Sequence, residues 1–156
     1  MRLPAIALLA TIAFGAASPP SMAQHAGHGA PAAADGRQAV DLPAPMRAHM
    51  LANMRDHLLA LQEIQQALAE AAYERAADIA EKRIGMSSLQ LHGADHMASA
   101  MPESMRSIGT QMHRSASRFA VEAANAGATG NVKPALGALS KTMQQCVACH
   151  AAFRLK

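Results

Sequence analysis

From residue 43 onward, apolar side chains recur every three or four positions, the spacing of helices with one buried face. Met46, Met50, Met54, Leu58, Leu61, Ile64 and Leu68 form the first row, which Leu51 and Leu59 widen. Pro43 and Pro45 stand where a first helical turn tolerates a missing N–H, so a helix is expected over 43–72. Ile79, Ile84, Met86, Leu89 and Leu91 predict a second helix over 73–92, closed by Gly93. A loop is expected over 93–101. Pro102-Glu103 then opens a third helix with an acidic first turn, continuing through Met105, Ile108, Met112, Phe119 and Ala123 to Gly127. After a short Gly127-Ala128-Thr129-Gly130 turn, Asn131 is expected to cap a fourth helix that runs to the chain end. Val132, Leu136, Leu139, Met143 and Val147 line it. Four amphipathic helices with short connections predict an all-α fold, an antiparallel four-helix bundle.

Composition supports helix over strand. The chain is 51% apolar but only 3% aromatic, with no Trp and 11 Met, and Ala and Leu dominate while β-branched runs are missing. The first residues carry a different signal. Arg2 precedes an apolar run over 5–17, too short to span a bilayer, and Ser21-Met22-Ala23 offers a small-x-small cleavage pattern. A signal peptide is therefore expected over 1–23, with export to the periplasm, and no later segment reaches the length of a membrane span. Residues 24–42 are rich in Ala, Gly, Pro and His without apolar periodicity and are expected to form a flexible tether, in which His25 and His28 are incidental. The domain proper is expected over 43–156. The formal charge of +3 falls by one when Arg2 is removed, and no Lys/Arg stripe with interleaved aromatics is present, so a nucleic-acid partner is not expected.

Near the chain end, Cys146-Val147-Ala148-Cys149-His150 forms C-x-x-C-H. This spacing places two thiols within reach of the two vinyl groups of one porphyrin and puts an imidazole where it can ligate the iron. These are the only two cysteines in the chain. A local disulfide, a redox pair and a zinc site compete, but the redox pair wants a βαβ context and the zinc site two further ligands at matching spacing. The motif therefore points to one covalently attached haem c per chain. A buried porphyrin would also add apolar area to a bundle poor in aromatics, coupling folding to haem binding.

A haem motif at the C-terminal end of the last helix of such a bundle resembles class II c-type cytochromes, the cytochrome c′ family and its low-spin relatives. The closing stretch Cys146–Lys156 is similar to the family's C-x-x-C-H-x-x-(Tyr/Phe)-Arg ending, and Arg47-Ala48-His49-Met50-Leu51 is similar to its Arg-x-x-x-(Leu or Met) segment in the first helix. The resemblance covers about residues 43–156. It implies thioether bonds at Cys146 and Cys149, His150 as proximal iron ligand, and Arg47 and Arg154 near the propionates or the proximal imidazole, roles that suit a guanidinium. By the family register Leu51 faces the distal side and leaves iron five-coordinate; Met46, Met50 and Met54 share a stripe about 100° away, so a small rotation of the helix would offer the sulfur of Met50 or Met54 as sixth ligand instead. The resemblance further implies a possible homodimer through the first two helices, where Leu59, Ala60 and Ala67 would offer a close-packing face.

One stretch departs from the family. His92, His96, Met97, Met101 and Met105 lie close together and Met112-His113 follows, a set whose imidazoles and thioethers suit Cu(I), although Met105 and Met112 also fall on the core row of their helix. The expected function is periplasmic electron transfer with unidentified redox partner proteins. The alternatives are binding of a diatomic gas such as NO or CO at an open distal site, and copper handling. Enzymatic turnover is not expected, since neither Asp56 nor His57 has a spacing that assigns it an acid–base role.

Overall fold

A computed structural model describes residues 34–156; the expected signal peptide, the first part of the tether, and His25 and His28 lie outside them. Among the described residues the fold is all-α, with five helices and one pair of short strands. Helix α1 spans Ala44–Ala69, α2 Tyr73–Arg83, α3 Ala94–Ala98, α4 Glu103–Thr129 and α5 Lys133–Ala152. Strands β1, Gln38–Val40, and β2, Phe153–Leu155, flank this set. In sequence order α1 packs on α2, α2 on α4, and α4 on α5.

Local chemistry explains most boundaries. Pro43 and Pro102 stand at the N-caps of α1 and α4, and Pro134 lies in the first turn of α5. Asn131 acts just before α5, where its Oδ1 accepts the Lys133 N–H at 3.2 Å. Helix α2 carries Glu74 in its first turn and Lys82 and Arg83 in its last, each matched to the helix dipole. Gly130, at φ +71°, closes α4 by returning its N–H to the Ala126 carbonyl.

The second helix is shorter than the apolar row predicts. It stops at Arg83, and a 3-10 turn follows over Met86–Ser88. Gly85 is the reason: a Cβ there would stand 2.8 Å from the Glu81 Cα, so the chain makes a backbone approach only glycine permits. Leu91, expected on the buried side, is 65% exposed. Gly93, at φ +58°, starts α3 rather than ending a helix, and the expected loop over 93–101 holds that helix with Met97 buried.

Two other expectations also differ from the structure. Residues 38–42, assigned to the tether, are built into the fold. β1 runs parallel to β2 with Gln38 opposite Phe153 and Val40 opposite Leu155, and both Val40 and Leu42 are buried. Alternation over three residues is too short a signal to read, and the partner strand is more than a hundred positions away. Correspondingly, the last helix ends at Ala152 instead of reaching the terminus. The expected close-packing face of the first helix is also absent from the surface: Ala60 and Ala67 are fully buried inside the chain, with only Leu59 of that group exposed.

The core consists of two apolar clusters. The larger joins Ala60, Ile64, Ala76, Ala80, Phe119, Ala123 and Leu139; the smaller joins Val40, Leu42, Met46, Met97, Met105 and Phe153. Alanine takes the tightest helix contacts because it lets backbones approach closely. That choice turns α1 away from the expected register. Its buried line is Met46, His57, Ala60, Ile64 and Ala67, while Leu58 stands 70% exposed. Arg83 fastens α2 to α1 through ion pairs with Asp56 and Glu63. No helix among the described residues is long and apolar enough to cross a membrane.

Candidate functional site

The large side chains displaced from the core of α1 have a common destination. Met50, Leu51, Met54, Leu58 and Leu61 line one wall of a cleft of about 810 Å³, and Cys146, Cys149 and His150 of α5 line another. Leu89, Met97, Met101, Met105 and Met112 contribute further apolar surface. A mostly apolar cleft of this size falls in the ~300–1,000 Å³ range of small-molecule and cofactor sites.

The C-x-x-C-H residues lie within the last two turns of α5. Three residues apart on a helix, Cys146 and Cys149 present their sulfurs to the same side. Both are half-buried free thiols, and burial pushes both thiol pKa values up, so they stand as protonated SH groups. Cys146 packs against the alanine-rich cluster and Cys149 against the methionine-containing one, so the pair straddles the seam between them. Cys146 donates weakly to the Thr142 carbonyl at 3.7 Å. His150 is exposed at the end of the same wall, two residues before α5 gives way to β2.

The rim is cationic. Arg37, Arg106 and Arg154 all reach the cleft. Asp35 accepts from Arg37 Nη2 at 2.8 Å and from Nε at 2.9 Å, and Arg154 Nε lies 3.4 Å from the same carboxylate. These contacts, those of Arg37 foremost, hold the exposed Asp35 carboxyl at about 2. Arg37 also donates to the His150 carbonyl at 3.4 Å. Two guanidiniums sharing one carboxylate leave a net positive charge beside the cysteine wall, a setting that suits a second, incoming carboxylate. Of the two arginines expected there, Arg154 lies on the cleft. Arg47 does not line it and instead donates to the Lys156 carbonyl, pinning the chain end to α1. Arg37 carried no sequence signal, because its place depends on the β1–β2 pairing.

The remaining wall holds three buried imidazoles, His57 of α1, His92 of the segment before α3, and His113 of α4, at 6%, 6% and 9% exposure. Their ring centroids stand 4.7 Å apart for His57 and His92, 5.4 Å for His92 and His113, and 6.2 Å for His57 and His113. Burial lowers all three pKa values. His57 falls to about 4, with the two neighbouring rings adding to the effect. His92 and His113 belong to the stretch the sequence marks, but His96 is exposed and off the cleft, and His57 comes from a helix far away in sequence. Only i, i+3 spacing from Met54 would have hinted at it. Comparison of the chain with protein-family models, curated proteins and solved structures returns no match.

Proposed function

We propose that this chain is an exported monohaem c-type cytochrome of the class II kind, a four-helix bundle of α1, α2, α4 and α5 that carries electrons in the periplasm. The observation that carries this reading is the position of the C-x-x-C-H residues on the wall of an apolar cleft large enough for a cofactor. The residues present fit a haem. Cys146 and Cys149 would hold it through thioethers, and His150 would ligate its iron. Arg37 and Arg154 at the rim would take the propionates. When bound, such a group supplies a one-electron couple whose potential is set by its axial ligands, polarity and exposure.

The protein's own part is to hold and shield. Apolar side chains of α1 would shield a group bound in the cleft from water and lower its dielectric, which favours the less charged state of that group. Met50 and Met54 reach the cleft from the same helix as Leu51, so either a thioether or an aliphatic lid is available opposite α5. A thioether favours the carrier, and the lid favours binding of a diatomic gas.

The test is a mass spectrum and a set of absorption spectra of the protein recovered from the periplasm. One haem should remain attached after acid–acetone extraction, and the Cys146→Ser, Cys149→Ser double variant should lose it entirely. A polypeptide that releases its pigment on extraction would end the cytochrome reading. A low-spin spectrum unchanged by CO would support electron transfer, whereas ready CO binding would replace it with gas binding.

A further inference from the structure

Three neutral imidazoles gathered in an apolar wall are costly unless something compensates their burial. Hydrogen bonds settle where their protons lie. His113 Nδ1 donates to the Ile84 carbonyl at 2.5 Å, which leaves its Nε2 as a free lone pair. The Ser88 hydroxyl donates to the Gly85 carbonyl at 2.7 Å, so at 3.3 Å from His92 Nδ1 it can only accept, and His92 Nε2 also carries a lone pair. That nitrogen faces His57 Nε2 at 3.3 Å, a long contact for a hydrogen bond. His49 Nε2 stands 3.0 Å from the His92 carbonyl and Asn53 Nδ2 donates to it at 3.4 Å, fixing the His92 backbone to α1.

His92 and His113 show the arrangement of metal-binding histidines, one ring nitrogen tied to a hydroxyl or carbonyl and the other turned inward, and His57 meets them through its Nε2. The spacing agrees. A tetrahedral ion with bonds of about 2.0–2.1 Å to nitrogen separates two such nitrogens by about 3.3–3.4 Å, and separates imidazole centroids by about 5 Å. The His57–His92 pair meets the first distance, and the His57–His92 and His92–His113 rings stand near the second, while His57 and His113, at 6.2 Å, stand beyond it. Among the described residues no three His, Cys, Asp or Glu donors are already gathered around one ion position. The His113 ring therefore has to draw toward His57 to complete such a site. On binding, the His57 proton passes from Nε2 to Nδ1.

We infer that His57, His92 and His113 form a binding site for a single Cu(I) ion at the inner wall of the cleft. The choice of ion follows from the donors. Three neutral imidazoles bring no negative charge, and the nearest carboxylate, Asp56, is committed to Arg83. A monovalent ion costs less to bury in such a setting than a divalent one. Thioethers on the same cleft, among them Met54 and Met112, are soft donors that also prefer Cu(I). The rings come from α1, the segment before α3, and α4, with none from α5, so this site and the cysteine wall succeed or fail separately.

The experiment is anaerobic titration of the periplasmic protein, haem-loaded as isolated, with Cu(I) against a chromophoric chelator. One Cu(I) per chain should be lost in His92→Gln and in His113→Gln, while His96→Gln should leave binding unchanged. Ser88→Ala, which removes the acceptor behind His92, should weaken affinity about tenfold. X-ray absorption of the copper-loaded native protein should show imidazole scattering, a readout that needs no variant to fold. Undiminished copper in the His92→Gln protein, a spectrum without imidazole, or displacement of Cu(I) by equimolar Zn(II) would each overturn the proposal. So would a haem spectrum altered by His57→Gln with copper binding intact, which would make that imidazole an iron ligand.

Discussion

The two apolar clusters of this protein are built from different residues and are complete to different degrees. At one end, Ala60, Ala67, Ala76, Ala80, Ala123 and Ala135 let four helices close on Ile64, Phe119 and Leu139. At the other, Met46, Met97 and Met105 pack with Val40 of β1 and Phe153 of β2, and Met97, Met105 and Phe153 border the cleft. The first cluster is a finished interior in which each side chain has its partners. The second opens on the cleft, with its members Met97, Met105 and Phe153 and the partly buried Met50, Met101 and Ile108 packed against it on the cleft wall. Small rigid residues therefore mark the part that holds the helices together, and flexible thioethers mark the part that adapts to something enclosed.

Truncation inside the alanine-rich end should have the largest effect. Phe119→Ala removes the largest fully buried side chain there and should cost about 3–5 kcal/mol in urea unfolding. A loss below about 1 kcal/mol would mean that this end repacks as easily as the other, and the contrast would fail.

Acid should then act on the wall where the three histidines meet. His57 is held at about 4 in the folded protein against an ordinary value of 6.5, so between those pH values the unfolded chain binds a proton that the folded chain refuses. The His57 contribution to stability should therefore fall by about 3 kcal/mol as pH drops from 6.5 to 4 and level off below that. The measurement is urea unfolding across this range with chelator present, and His57→Gln should make the dependence shallower, leaving the part that His92 and His113 contribute. A native protein with an unaltered slope in that variant would assign the acid response elsewhere.

Overfilling comes next. Ala123→Val adds two methyl groups at a fully buried α4 contact and should cost about 1–3 kcal/mol, read as a lower thermal midpoint. The smallest effect should follow a change of similar volume at the open end. Met105→Leu should cost less than about 1.5 kcal/mol, because the neighbouring space can take up the altered shape. If Met105→Leu proved the more damaging of these two, the methionine end would be the rigid one.

How much of this could be read from residues alone varies from feature to feature. The long helices α1, α4 and α5 stood out because a 3.6-residue period repeated over twenty or more positions is a strong local signal, punctuated by prolines and glycines, whereas α3 was expected as loop and α2 as a longer helix. The cysteine–histidine motif was equally legible, since its meaning lies in spacing along one helix. The burial register of α1 was misread for a physical reason. Its Leu and Met row was the obvious core face, yet Ala60 and Ala67 took that role because close helix approach favours the small side chain. The sequence by itself thus determined the helical class and the candidate attachment residues.

Tertiary structure decided the rest, because it joined residues that no local period connects. Pairing of β1 with β2 brought Arg37 to the cysteine wall and drew residues 38–42 out of the expected tether. The packing order of the helices placed His57 against His92 and His113 across separations of 35 positions and more. Such contacts depend on how helices cross and on where a chain reverses, and no run of neighbouring residues encodes either.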